Sequence, residues 1–341
     1  MWELLRNFFL PETAAKSGKS LTSPSGASVA PLPLNDPASN PGSNIIRSGY
    51  YSLILGVHSL TDVELNTFES ETVKRVDKLI NSRESRQQLV PRLPAVIPQI
   101  MSGLRDDNSS GSDLARLIGK DPSLVAEAIR MANSPYYRTV NSIKSLEQAI
   151  LILGRNGVRQ LVSKAAFKPL LHSRQGHFTN LASGWVWQQA EYCAFSAQCL
   201  AQRQPIDSFE AYLAGLVRDV GTIVVLKMMD RIENLDDAPR SSQFQQLFTR
   251  QSLKLSALIA QEWEFSENII QAIDEQASES DPAQMPVMGS VLHTASLMAQ
   301  LQVLITEGRI DSEKSQITCQ AEGRLTDNCK KCFAELQRYT T

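Results

Sequence analysis

A chain of 341 residues with 42% hydrophobic side chains can bury one or two sizeable cores, so neither disulfides nor a structural metal is required for folding. Thirty-four basic residues against 36 acidic ones leave a formal charge of −2, which excludes the strongly basic balance of a dedicated nucleic-acid binder. Five scattered cysteines exclude a densely stapled secreted module; they are expected to be free thiols in a reducing compartment, and the expected location is cytoplasmic. No run of 18 or more apolar residues is present and the first ten residues lack a signal-peptide pattern, so no membrane span is expected.

In chain order, residues 1–10 form a short amphipathic segment carrying Trp2, Leu4, Leu5, Phe8 and Phe9. Residues 11–49 hold six prolines, four glycines and eight serines, a composition too poor in large apolar side chains to offset the entropy of ordering, and are expected to be a disordered linker. Gly18, Lys19 and Ser20 match the end of a phosphate-binding loop, but Thr13 stands where its first glycine belongs and no strand precedes it. Residues 50–90 are expected to hold a short strand at Tyr51 to Leu55 and a linking helix from Val73 to Leu89, where Val73, Val76 and Ile80 share a helical face.

From Pro91 the pattern becomes densely helical. Asp121 and Pro122 read as an N-cap and first helical residue, with Leu124, Val125, Ala128, Ile129 and Ala132 on one face and an end near Asn133. Ser145 and Gln148 form a capping-box pair ahead of an apolar run that Gly154 stops. Further helices are expected at about 185–203, 208–229, 243–263, 266–277 and 286–306, followed by a partly helical tail at 307–341. The loops leave no room for a sheet, so the fold class is all-α, a multi-helix bundle with an N-terminal extension.

The segments LPRLPAVIPQIM (91–102), LARLIGKDPSLVAEAIRMANSPYY (114–137) and SIKSLEQAILILGRNGVRQLV (142–162), continued by Gly215-Leu216 and Asp219 to Gly221, resemble an HDOD domain over about 91–306. That resemblance implies a helical domain of bacterial signalling proteins, related to the HD phosphohydrolases but without their established catalysis. HD chemistry needs histidines and aspartates that together hold a divalent cation beside a phosphate. By the resemblance, Gln189 stands at the first histidine position, Arg218-Asp219 replaces the His-Asp doublet, Ser252 stands where a third histidine is expected, and Gln276 follows in place of a final pair. Only Asp219 keeps a ligand's chemistry, and Arg218 puts a fixed positive charge where a cation would sit. No catalytic residue, metal or cofactor is therefore expected.

His58, His172, His177 and His293 fall on none of these positions. His293 lies among Val291, Leu292, Ala295 and Leu297 and reads as a core histidine. Cys329 and Cys332 form a lone C-x-x-C without the further ligands of a zinc site, and Cys193 and Cys199 read as core thiols. Arg155 and Arg159, with Lys164 and Lys168, recur near helical spacing; with Arg218 the two arginines are the candidate anion-binding residues, although a solvated helix face explains the stripe as well. The expected function is non-enzymatic regulation through a protein partner, the alternative being a sensor of an anionic nucleotide that it does not hydrolyse, and a metal-dependent phosphohydrolase ranking below both.

Overall fold

Helical periodicity governs every element of the computed structural model, which describes residues 41–58, 60–87, 90, 92–93, 118–119, 122–137, 142–172, 176–232, 238–278, 284–310 and 327–340. The terminal amphipathic peptide, residues 11–40, Asp121, Cys319 and most of the 91–102 motif lie outside the described residues. Among those described there is no strand beyond an isolated bridge between Thr61 and Ser241, and the fold is all-α.

The expected strand at 51–55 is instead the end of a helix, α1 (Pro41–Leu55), which also takes the last nine residues assigned to the linker. Ile46, Tyr50, Leu53 and Ile54 are buried at spacings of four, three and one, the stripe of a helix docked by one face. Aromatic and aliphatic residues at 50–55 favour a strand locally, but burial along the helical stripe overrides so short a preference.

Helix α2 (Thr67–Asn81) opens with a capping box. Asn66 accepts from the Glu69 backbone amide at 2.8 Å, and Glu69 accepts from the Asn66 amide at 2.9 Å. The second Glu69 oxygen accepts from the backbone amides of Arg240 at 2.7 Å and Ser241 at 2.8 Å. One wholly buried carboxylate thus fixes the start of α2 against the entry to a distant helix. Helix α3 (Arg83–Gln87) follows after Ser82, which separates it from α2 within the single expected helix.

Helix α4 (Pro122–Ala132) begins at the expected proline. After it, Asn133 donates to Ile143 O at 2.8 Å and accepts from Ile143 N at 2.8 Å, clipping the ends of the intervening loop together. Helix α5 (Leu146–Leu171) starts at Ser145, whose hydroxyl accepts from Gln148 N at 3.3 Å. It breaks where expected: Gly154 has φ 62° and ψ −174°, backbone that costs an L side chain heavily, so glycine ends one helical piece and the next begins on a new axis.

Helix α6 (His177–Ala201) begins eight residues before its expected start. Asp230, remote in sequence, accepts from the amides of Phe178 at 2.6 Å and Thr179 at 3.2 Å and from the Thr179 hydroxyl at 2.6 Å. No local signal announces a cap supplied from elsewhere in the chain. The helix expected at 208–229 is two, α7 (Ser208–Val217) and α8 (Val220–Met229), broken at Arg218 and Asp219, where Asp219 leaves helical geometry at φ −102°, ψ 14°. Then come α9 (Ser242–Glu262), α10 (Glu267–Glu275), α11 (Val287–Thr306) and α12 (Asp327–Thr340).

Helix α6 is the hub, with α7, α11, α1 and α12 packed on it, while α8 packs on α9, α9 on α10, and α4 on α5. Helix α11 is long and apolar enough to cross a bilayer by length and composition, but 78% of that window is buried inside the fold, so its apolarity is used by the core. Disruption of the Glu69 hub is measurable. Glu69→Gln turns an amide group toward backbone donors and should lower unfolding free energy by about 2 kcal/mol in urea titrations; an unchanged midpoint would deny that the carboxylate joins α2 to α9.

Candidate functional site

Four of the positions singled out on the HD pattern are buried on adjoining helices. Gln189 comes from the middle of α6, Arg218 and Asp219 from the break between α7 and α8, and Ser252 from α9. All four side chains are nearly or wholly enclosed. The approach of α8 to α9 depends on Gly221, since a Cβ there would lie 2.1 Å from the Ser252 carbonyl oxygen. Its amide donates to the Ser256 hydroxyl at 2.9 Å, and that hydroxyl donates to Ser252 O at 3.0 Å.

Within this enclosure Arg218 Nη1 donates to Asp219 Oδ1 at 2.6 Å, a salt bridge with both side chains below a tenth exposed. Burial pushes the Asp219 carboxyl above its usual range, opposed by the Arg218 charge and hydrogen bond and by the Gln189 amide. Gln189 Nε2 donates to Ser296 O at 3.2 Å, tying α6 to α11. Gln189 Oε1, Arg218 Nε and Ser252 Oγ carry no hydrogen bond within the protein.

Two tyrosines of α1, of which sequence reasoning assigned Tyr51 to a strand, lie beside the cluster. Tyr50 and Tyr51 of α1 are buried, and burial raises both phenols, with the charges of Asp219 and Arg218 acting on each. Cys193, one turn after Gln189 on α6, feels the same two charges, and burial pushes its thiol up to about 12. A thiol so protonated and enclosed has no nucleophilic role. The signal that could have found the tyrosines was the helical spacing of Ile46, Tyr50 and Ile54.

Gln276 belongs elsewhere. Its amide donates to Ala272 O and Gly289 O, both at 3.0 Å, fastening the end of α10 to α11. The three candidate anion-binding arginines do not converge either. Arg159 stacks on the Phe209 ring at 4.7 Å, whereas Arg218 lies at the other end of α7, about 13 Å along the helix at 1.5 Å per residue. Arg155 is half-buried on α5. His293 is half-buried with Arg47 Nη2 3.0 Å from its Nε2.

Lys164 leaves the expected basic stripe altogether. It is buried in a charge network, paired with Glu191 of α6 and 3.3 Å from Glu127 of α4. Glu127 also accepts two hydrogen bonds from Arg130, at 2.8 and 2.5 Å. The Arg130 hydrogen bonds, helped by Lys164, hold the Glu127 carboxyl down at about 2. The cysteines depart from expectation too. Cys199 and Cys332 form a disulfide between α6 and α12, and Cys193 and Cys329 are buried and take no part in it. With the partners 133 positions apart, no sequence spacing could have shown it.

The donor set at the HD positions does not fit a divalent metal. One amide, one hydroxyl and one carboxylate already bound to a guanidinium offer too little negative charge, and among the described residues no three His, Cys, Asp or Glu side chains are grouped to hold a metal ion. The HDOD domain family matches residues 90–279, over half of the chain. The chain belongs to the HDOD domain family.

Among known proteins, this HDOD chain is 23% identical over 213 residues to an uncharacterized protein of Treponema pallidum (strain Nichols), covering 60% of this chain and 40% of the other. The chain therefore spans about two fifths of the length of that relative. Its fold is similar to a crystal structure from Shewanella amazonensis SB2B whose name provisionally assigns it as a metal-dependent phosphohydrolase, with a TM-score of 0.55, 16% identity, and coverage of 80% of this chain and all of that one. An HDOD domain protein of unknown function from Geobacter sulfurreducens gives 0.52 at 18% identity, covering 79% and 94%. At such identities the likeness is one of fold.

Two measurements check the electrostatics. Arg218→Met leaves Asp219 buried without its countercharge and should cost about 3–5 kcal/mol of unfolding free energy. In that variant burial alone holds the Asp219 carboxyl above its ordinary 3.8. A raised folded-state pKa favours the fold at low pH and ceases to do so as the pH rises through it, so the deficit should be largest at pH 7 and shrink toward pH 4. The opposite sign applies to Glu127, lowered from 4.5 to about 2. Its contribution is present above 4.5 and lost as the pH falls to 2, so denaturation midpoints should fall more steeply over that window in the natural chain than in Glu127→Gln.

Proposed function

We propose that this chain is a non-enzymatic bacterial regulatory protein whose HDOD domain acts by binding a protein partner in the cytoplasm. The observation that carries the reading is the Arg218–Asp219 salt bridge, buried where an HD enzyme would hold its cation. Loading a metal there would require a divalent ion to displace a guanidinium from its own carboxylate in a low-dielectric interior, with Gln189 and Ser252 as the remaining donors. Among the described residues Asp219 is only 3% exposed, which disfavours contact with a phosphate ester. What the helices then offer is surface, and surface without chemistry supports recognition.

The charge network of α4, α5 and α6 and the packing of four helices on α6 support docking of a partner on a preformed surface, the common case for complexes whose backbones move little on binding. The Shewanella protein is named for phosphohydrolysis; this chain's own donor set does not favour extending that activity to it.

The test has two arms. Purified chain is assayed for bound divalent metal and for hydrolysis of bis-p-nitrophenyl phosphate with added Mn2+, where about one metal per chain with turnover overturns the proposal. In the second arm, the full chain and a chain starting at Pro41, which keeps α1, are crosslinked in native cells and their partners identified by mass spectrometry. Capture of one shared partner by both is the expected result, and it assigns the interface to the helical domain.

A further inference from the structure

Helix α12 meets α6 along a single stripe. Cys329, Cys332 and Leu336 are buried and Tyr339 continues the series, a spacing of three, four and three that keeps all four on one face. Lys330, Lys331, Ala334 and Arg338 point outward and are exposed. At the far end the Tyr339 ring stacks on Phe195 with 4.6 Å between centroids and 20° between planes, while Tyr136 meets both rings edge-on. The Tyr339 hydroxyl donates to Glu191 at 2.7 Å, and Gln302 of α11 donates to Thr340 at 3.0 Å. The near end is covalent, through Cys332 to Cys199.

We propose that Cys199–Cys332 is a reversible thiol–disulfide site that sets whether α12 remains in its groove on α6. Without the bond, a helix of 14 residues is held by non-covalent contacts alone, among them the aromatic stack, the two hydrogen bonds and a stripe of apolar side chains, and a helix of that length is marginal by itself. With it, Cys332 is tethered to Cys199 on α6, so α12 cannot move away from its groove while the bond lasts and the restraint weighs toward docking. Cys199 is half-buried at the surface end of α6, within reach of a small thiol, in contrast to the enclosed Cys193.

The reductant is a dithiol. One of its thiolates attacks a sulfur of the pair to give a mixed disulfide, its second thiol resolves that bond, and two electrons and two protons end on Cys199 and Cys332 while the reductant leaves as a disulfide. Release of α12 uncovers Tyr136, Phe195 and Glu191, a groove shaped for an amphipathic helix and occupied, in the oxidised state, by the chain's own. The inference concerns a contact inside one chain and stands whether or not the protein-binding reading does.

The full chain, oxidised with glutathione disulfide, is compared with the same protein treated with dithiothreitol in the absence of denaturant. Maleimide labelling after unfolding should count at least two fewer cysteines in the oxidised sample than in the reduced one, in which all five are thiols. Amide hydrogen exchange should speed up at least tenfold across 327–340 on reduction, with a smaller rise at 191–202 and no change across 220–262. Cys332→Ser should show the reduced pattern without reductant, and Cys329→Ser should keep the oxidised one. Five labelled thiols after oxidation, a bond that yields to reductant only once the protein is denatured, or equal exchange in the two states overturns the proposal.

Discussion

A carboxylate taken out of water must be matched from within, and Asp219 shows what that demands of its surroundings. Moving an ionised carboxylate into a protein interior costs several kcal/mol even after relaxation, and only a close, hydrogen-bonded opposite charge offsets it. In a metal-dependent relative of this architecture the offset would come from the cation. Here it comes from Arg218, one residue away, at 2.6 Å. The guanidinium supplies charge without exchangeable coordination positions, so it holds the helices as a cation would and offers no place for an activated water. The helices around the pair close on it, and Tyr50 and Tyr51 are buried beside it.

The same requirement is met by different means elsewhere. Glu69 is matched by three backbone amides and no cation at all, a hydrogen-bonded arrangement that also satisfies the free donors of two helix starts. Lys164 is matched by two carboxylates, each from a different helix. Asp230 is matched by the first amides of α6. Each of these buried or half-buried charges is shared between elements distant in sequence, so the polar contacts of the domain specify which helices meet, while apolar area supplies most of the driving force. Single removal at any of them leaves a charge or several amides stranded, which is why their loss is expected to cost more than the contact itself contributes.

How much of this was legible in the sequence follows from the range of the interaction involved. Ser145, Gln148, Gly154 and Pro122 act on their own neighbours, and the elements they delimit begin or break where those residues stand. Arg218 and Asp219 were legible because they are adjacent, and Gln189 and Ser252 through the HDOD resemblance alone. Tyr51 to Leu55 was misread because a six-residue window favours a strand while the stripe beginning at Ile46 needs nine residues to show its period. The early start of α6 depends on Asp230, the burial of Lys164 on Glu191, and the pairing of Cys199 on Cys332. In each case the deciding partner lies at least 27 residues away, and nothing in the local sequence marks it.

These two kinds of contact assign different parts of the molecule to different tasks. The Arg218–Asp219 enclosure and the Glu69 hub are sealed, matched and held from several helices, so a change in either is coupled to the stability of the whole fold and responds poorly to a passing signal. Helix α12 is attached chiefly to α6, through a stripe one side chain wide and a single covalent bond. Its detachment would leave the α6 to α11 core, the Glu69 hub and the ion pair intact. A fold whose interior ion pair is sealed from several helices needs some other element whose position differs between two states if it is to carry information, and the element least bound to the rest is the one whose position a small chemical change can alter.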